Sequence, residues 1–295
     1  MRTTAVTTLA GRSRAADYVA LAKPRLNVLV IASAVAGYVM AGGDTANLPA
    51  LLWTIVGTGL VAGGASAFNQ ILERRQDGLM IRTRLRPLPD GRLTAGEAVL
   101  YGAIISAAGL AILAAGVNVL AAGVALATLA CYAVIYTPLK RRTSFATVIG
   151  AVPGALPPVI GWAAAAHSLS HGALILFAIV FLWQMPHFLA IAWMYRDDYA
   201  RAGFPMLPVI EPDGRSTARQ AVVYSAALLP VALAPTLIGM SGEAYFAGAL
   251  ALSLLLLGMS VRFAMTRSTA DARRLFFTSL AYLSLLWVLM IADRV

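Results

Sequence analysis

Charge is what this chain has least of. Only 12% of its 295 residues are charged, against about 25% in an ordinary soluble domain. Hydrophobic residues make up 60%, and mean hydropathy is +0.77. That balance excludes a water-soluble globule and defines an integral membrane protein. Length alone suggests one or two domains, but apolar stretches take up nearly every residue. The chain therefore reads as one transmembrane domain over 1–295, with 1–17 as a flexible cytoplasmic tail. Cysteine is scarce too: Cys131 stands alone, so there is no intrachain disulfide. No linker and no low-complexity tract interrupts the chain. The opening residues hold no apolar run before residue 26, so they do not read as a cleaved signal peptide. Bases outnumber acids 23 to 13, a net charge of +10, but a membrane accounts for that excess without nucleic acid.

Apart from histidine, uncharged runs cover 26–43, 45–72, 98–139, 143–195, 220–242, 244–261 and 275–292. One crossing takes about 20 residues. The runs 98–139 and 143–195 must each turn back once, near "GVN" at 116–118 and "HSLSHG" at 167–172. The sum is nine transmembrane helices in an all-α polytopic bundle, with the termini on opposite sides. Lys and Arg then separate. The N-terminal tail holds five, and the loops after the second, fourth, sixth and eighth helices hold six, three, four and four. Only Arg294 lies on the other side. By the positive-inside rule the N-terminus is cytoplasmic, at the plasma or inner membrane, and the C-terminus is outside.

Local signals refine this outline. Thr94 with Glu97, and Thr217 with Gln220, have capping-box spacing and predict the starts of the third and seventh helices. Pro153, Pro157 and Pro158 predict a kink in the fifth. Gly59 and Gly63 sit four apart in the second, a spacing that lets membrane helices approach closely.

Against so apolar a background the stretch "FNQILERRQDGLMIRTRLRPLP", 68–89, stands out. Asn69, Glu73 and Asp77 are spaced i, i+4, i+8, so their oxygens line one helix face. The sixth helix also ends in acids, Asp197 and Asp198 in "WMYRDDYARAG". Carboxylate and amide oxygens are hard ligands suited to Mg²⁺, and the arginines beside them suit a diphosphate. Juxtamembrane salt bridges are the plainer explanation, though they do not explain the shared face. Lys140 follows Tyr136 by one turn, so the two can meet one ligand; Lys-Arg-Arg after a span is also an ordinary cytoplasmic flank. His187 lies inside the sixth helix, 11 residues before Asp198 and, on a regular helix, on nearly the same face about 16 Å deeper. An ionisable residue at that depth is a functional candidate; a neutral histidine bonded to a neighbouring helix is the alternative. His167 and His171 fall in a short outer loop and are given no role.

Nine helices, N-x-x-x-E-x-x-x-D after the second, an acidic pair after the sixth and Y-x-x-x-K after the fourth together resemble the UbiA superfamily of intramembrane prenyltransferases. The finer text, "NQILERRQDGLMIRTRLRPLP", "YTPLKRRT", "GAVPGALPPVIGW" and "WQMPHFLAIAWMYRDDYARAGFPMLPV", is similar to its branch that farnesylates protohaem IX, over roughly 18–292. The resemblance implies a UbiA-like bundle whose central cavity opens to the cytoplasmic side. It implies farnesyl transfer from farnesyl diphosphate to the 2-vinyl group of haem B, with water added, giving haem O. Asn69, Glu73, Asp77 and Asp198 would hold Mg²⁺, with Asp197 assisting. Arg82, Arg86, Tyr136 and Lys140 would meet the diphosphate, and His187 the haem. Membrane lipid surrounds the chain, and a haem A-forming enzyme or oxidase assembly factors would be contacts. The second motif departs from the D-x-x-x-D of many superfamily members, since Tyr195 and Tyr199 flank its two aspartates. Two other readings stay open: a superfamily enzyme acting on a quinone precursor, and a transporter of an anionic solute. Transporters place charge near the bilayer midplane, whereas these acids lie at one face.

Overall fold

The computed structural model describes residues 13–43 and 47–295. Among the described residues the regular elements are all helices, with one isolated bridge between Ser241 and Arg294. Most of the expected tail lies outside the described residues, but its end is not a tail. Ser13 accepts a hydrogen bond from the Ala16 amide and caps α1 (Arg14–Ala22). Asp17 is buried there, 3.0 Å from the guanidinium of Arg92.

Eight helices are long and apolar enough to cross a membrane, and a bent pair makes a ninth. The bent pair is α1 with α2 (Pro24–Met40), which meet at 42° around Lys23. Next come α3 (Leu48–Leu72), the short α4 (Arg74–Leu79), α5 (Ala95–Gly116) and α6 (Val119–Ala130). A π-helical turn, Cys131–Tyr136, and α7 (Thr137–Leu139) complete the fourth crossing. The fifth consists of α8 (Ala146–Ala155) and α9 (Pro157–Ala166), which meet at Leu156. Pro157 stands at the start of α9, where its missing N–H costs nothing, so the proline run parts the helix where expected. Then follow α10 (His171–Met194), α11 (Arg196–Arg201), α12 (Leu207–Ile210), α13 (Arg215–Leu237), α14 (Glu243–Thr266) and α15 (Thr269–Ala292).

Both hidden turns fall where the uncharged runs required them. Asn118 caps α6 through the Ala121 amide at 2.8 Å and also donates to the Ala163 carbonyl at 2.9 Å. The capping box at Thr94 and Glu97 is present. The one expected at Thr217 is not: α13 begins three residues earlier, behind Gly214 at φ 71°. There Asp213 accepts from the Arg215 amide and Glu211 from the Ser216 amide, so the first turn is already capped. Thr217 Oγ1 is buried without a hydrogen bond.

Lipid gives helices no hydrophobic reason to associate, so close backbone approach has to supply the contact. The α2–α9 crossing is the tightest case: a Cβ on Gly37 would lie 1.9 Å from the Pro158 carbonyl oxygen, and one on Gly161 1.7 Å from that of Ala34. On α3, Gly59 and Gly63 do serve packing, against Ile31 and Ala22, while Gly57 and Gly64 admit α5 on another side. One apolar core, with Tyr38, Val61, Leu113 and Ile160, gathers the N-terminal helices. A larger one, with Leu176, Tyr245, Leu256 and Tyr282, gathers α10, α13, α14 and α15. Across the halves, α2 packs on α15 and α8 on α10. A cavity of about 390 Å³ lies between Tyr38, Gly116 and His167, at the end of the bundle away from the acids.

Candidate active site

Two long helices end alike. The helix α3 stops at Glu73 (φ −96°, ψ 7°) and resumes as the six-residue α4. The helix α10 stops at Tyr195 (φ −114°, ψ 21°) and resumes as the six-residue α11. At the first break the Glu73 amide still donates to Asn69 O and the Asp77 amide to Glu73 O, at 2.9 and 2.8 Å. The step of four therefore survives, and Asn69, Glu73 and Asp77 are all buried, at 5%, 2% and 0% exposure. At the second break Asp198 turns inward, 7% exposed, while the Asp197 side chain is 83% exposed. Successive helical residues point about 100° apart, so only one aspartate of the pair can face in; Asp197 stands outside the site. The break at Tyr195 also interrupts the regular path assumed between His187 and Asp198, although α10 runs through Pro186 unbroken.

The segment after α4 ties the two ends together. The Ile81 amide donates to Asp198 Oδ1 at 3.2 Å, the Arg82 guanidinium to the Tyr199 hydroxyl at 3.0 Å, and Thr83 Oγ1 to the Asp77 carbonyl at 2.8 Å. Beneath them Met80, Tyr199, Phe204 and Met206 form a small apolar cluster. Burial works to raise the Asp198 carboxyl, but hydrogen bonds from the Ile81 amide and the Arg201 guanidinium outweigh it and hold the group below the ordinary carboxylate range.

Each buried acid has a cation of its own. Lys140 Nζ lies 3.1 and 3.2 Å from the two oxygens of Glu73. Arg86 meets Asp77 at 2.8 Å, and Arg201 pairs with Asp198. Lys140 also sits 4.7 Å from the centre of the Phe204 ring, and Arg82 lies over Tyr195 and Tyr199 at 4.9 and 5.0 Å. Among the described residues no three His, Cys, Asp or Glu side chains converge as a metal site. The expected single set of Asn69, Glu73, Asp77 and Asp198 is thus divided among ion pairs, because a buried carboxylate needs an opposite charge and basic side chains supply it. Two buried oxygens nevertheless accept no hydrogen bond: Asp77 Oδ1, which has no partner, and Glu73 Oε1, which has only the ion pair with Lys140. Hard oxygen atoms in that condition fit a Mg²⁺ ligand.

Lys23 is the residue that sequence reading missed. It sits at the left-handed corner between α1 and α2 (φ 48°), and its Nζ donates to Asn69 Oδ1 at 3.3 Å. A signal was there to read. The chain has only two lysines, Lys23 and Lys140, against 21 arginines, and both come to the acidic row. Tyr136 ends the π-helical turn and lies against Gly150, beside Tyr132 at 5.2 Å, while Lys140, one turn on, pairs with Glu73. His187 is 8% exposed, and its Nδ1 is 2.8 Å from Ser279 Oγ on α15. Trp183 and Phe276 stack near its ring at 5.2 and 4.8 Å.

Residues 30–286 match the UbiA prenyltransferase family, and the chain belongs to it. A protoheme IX farnesyltransferase of Solibacter usitatus is 52% identical over 94% of this chain and 98% of its own. One from Koribacter versatilis is 43% identical over 94% and 93%, and one from Aquifex aeolicus 38% over 97% and 98%. Among solved structures, a digeranylgeranylglyceryl phosphate synthase superposes with a TM-score of 0.79 at 15% identity, covering 95% of this chain and 98% of its own. A UbiA homologue from Archaeoglobus fulgidus, bound to GPP and Mg²⁺, superposes at 0.65 with 17% identity, covering 94% and 99%. These last two share the fold.

The Ile81–Asp198 bond yields a local prediction. Asp198→Ala should speed hydrogen exchange at the Ile81 amide at least tenfold by leaving it without its acceptor. Asp197→Ala should leave that rate unchanged. Equal rates in both variants would contradict the geometry.

Proposed function

We propose that this chain transfers the farnesyl group of farnesyl diphosphate to the 2-vinyl group of haem B, with addition of water, to give haem O and diphosphate. The observation that carries the reading is a buried carboxylate oxygen without a partner, Asp77 Oδ1, in a row of buried acids ringed by cations from other elements. Near-full-length likeness to proteins named protoheme IX farnesyltransferase supports the choice of substrates.

Asn69, Glu73, Asp77 and Asp198 would hold Mg²⁺. When bound, that ion neutralises charge developing on the departing diphosphate. On this reading the ion pairs exchange partners: Arg86 and Lys140 leave Asp77 and Glu73 for diphosphate oxygens, joined by Arg82 and Lys23. The carbon–oxygen bond at farnesyl C1 breaks, and its electron pair leaves with the diphosphate. The terminal vinyl carbon attacks the allylic cation and forms the new carbon–carbon bond. Water adds to the cation left beside the porphyrin and gives up a proton to the released diphosphate. The apolar helices limit water near the reacting carbons and offer them no competing nucleophile. His187, about 12 Å of helix before the break at Tyr195 that leads to Asp198, would face the porphyrin and not the diphosphate. Both substrates are amphiphiles, which suits a space between helices open to lipid and to the cytoplasmic side. The N-terminus would be cytoplasmic and the C-terminus outside, as labelling of cysteines placed at the two ends would report; both ends on one side would refute the arrangement.

Purified protein given farnesyl diphosphate, haem B and Mg²⁺ should form haem O, and a chelator should stop it. Conversion of a quinone precursor but not of haem B would reject the acceptor. Asp77→Asn should lose more than tenfold in rate at saturating Mg²⁺, over about 1.4 kcal/mol, while still inserting and folding. A variant that keeps a tenth of the rate or more would remove Asp77 as an essential ligand.

A further inference from the structure

The helix α15 reaches His187 through the Phe276 ring and, for hydrogen bonding, through Ser279. Ser279 takes three hydrogen bonds that bear on the imidazole: its carbonyl accepts from Trp183 Nε1 at 2.6 Å, its Oγ lies 2.8 Å from His187 Nδ1, and the same Oγ donates to the Phe276 carbonyl at 2.7 Å. Phe276 and Trp183 are also the rings stacked near the imidazole. Ser279 lies ten residues into α15, about 15 Å from its start, which matches the depth of His187 from the acidic end.

A hydroxyl has one proton, and here two acceptors compete for it. A carbonyl can only accept, whereas a neutral imidazole nitrogen can donate or accept according to its tautomer. If Ser279 gives its proton to Nδ1, the Phe276 contact carries no hydrogen bond and Nε2 bears an N–H with no acceptor among the described residues. If Nδ1 carries the proton, it donates to Ser279 Oγ while Ser279 donates to Phe276. The second arrangement makes two hydrogen bonds and the first makes one. No protein group among the described residues binds Nε2, and it is not among the fully enclosed polar atoms that lack a partner.

We infer that Ser279 is a positioning residue for haem: it fixes His187 as the Nδ1–H tautomer and leaves the Nε2 lone pair free for the haem iron. The inference rests on the reading that His187 faces the porphyrin. Histidines that ligate metals commonly donate their other ring N–H to an acceptor, which sets both tautomer and ring orientation. Here the acceptor is a serine hydroxyl polarised by a helix carbonyl, and two aromatic rings confine the imidazole. Iron would be bound as part of the substrate, so the ligand would orient the porphyrin while its vinyl group meets the farnesyl cation.

Nitrogen-15 spectra of histidine-labelled protein without haem test the tautomer directly, with the His187 signal assigned by its loss in His187→Ala. The expected result is a protonated Nδ1 and a bare Nε2 in the wild type; a protonated Nε2 overturns the proposal without any variant having to fold. Titration with haem B, followed by absorbance, supplies the second arm. Ser279→Ala should weaken haem binding about tenfold and shift the tautomer toward Nε2–H, with farnesyl diphosphate affinity unchanged. Ser279→Thr, which keeps the hydroxyl, should restore both. If His187→Ala changes the bound-haem spectrum but Ser279→Ala changes neither tautomer nor affinity, the role of Ser279 fails alone. If His187→Ala leaves the haem spectrum as in the wild type, the haem reading of His187 fails, and the proposal falls with it.

Discussion

Carboxylates buried at the end of a membrane bundle must be neutralised, and the rest of the site follows from that. Leaving such a charge unpaired costs about 3–5 kcal/mol. No single segment supplies the counter-charge. Lys23 comes from the corner between α1 and α2, Arg86 from the segment after α4, and Lys140 from the end of the fourth crossing. Each cation therefore fixes the position of a helix end relative to α3. The π-helical turn at Cys131–Tyr136, just before Lys140, belongs to the same arrangement, since such bulges often mark functional positions. Arg82, held over two tyrosines, and Lys23, on an amide oxygen, are the cations of this group without a carboxylate partner.

The molecule divides its chemistry by depth. Charge, amide oxygens and phenols gather where α3 and α10 break, and the two six-residue helices bring one buried aspartate each, Asp77 and Asp198. The Ile81–Asp198 and Arg82–Tyr199 bonds join those ends, so movement of one acidic segment must carry the other. Deeper in, the polar contacts are few and neutral, with Gln184 bonded to Ala151 O, Trp183 to Ser279 O and His187 to Ser279. An interior of that kind suits an allylic cation, which any strong nucleophile nearby would capture.

Much of this was legible in the sequence because membrane proteins write their fold in charge spacing. The nine crossings, the turns near Val117 and Ser168, the proline break before Pro157 and the inward row of Asn69, Glu73 and Asp77 all follow from run length and helical periodicity. Other features were not readable, for physical reasons. Which of Asp197 and Asp198 faces inward depends on the backbone break at Tyr195, and an adjacent pair does not encode that choice. The partners of the acids are tertiary, 67 residues apart for Glu73 and Lys140 and 46 for Lys23 and Asn69. The start of α13 went to Gly214 because Glu211 and Asp213 cap it from outside the expected box. Ser279 has no sequence signature at all; it matters only because α15 packs against α10.

The central claim is that buried acid and distant cation hold this site together as specific pairs. A double-mutant cycle on Glu73 and Lys140, read by thermal unfolding in detergent, tests it most directly. Glu73→Gln and Lys140→Met should each destabilise by about 2 kcal/mol or more, and the double variant should lose at least 1 kcal/mol less than the sum of the two, as partners in contact do. Strictly additive losses would contradict the account, because they would mean that Glu73 and Lys140 are buried independently and that the site is organised by something other than charge.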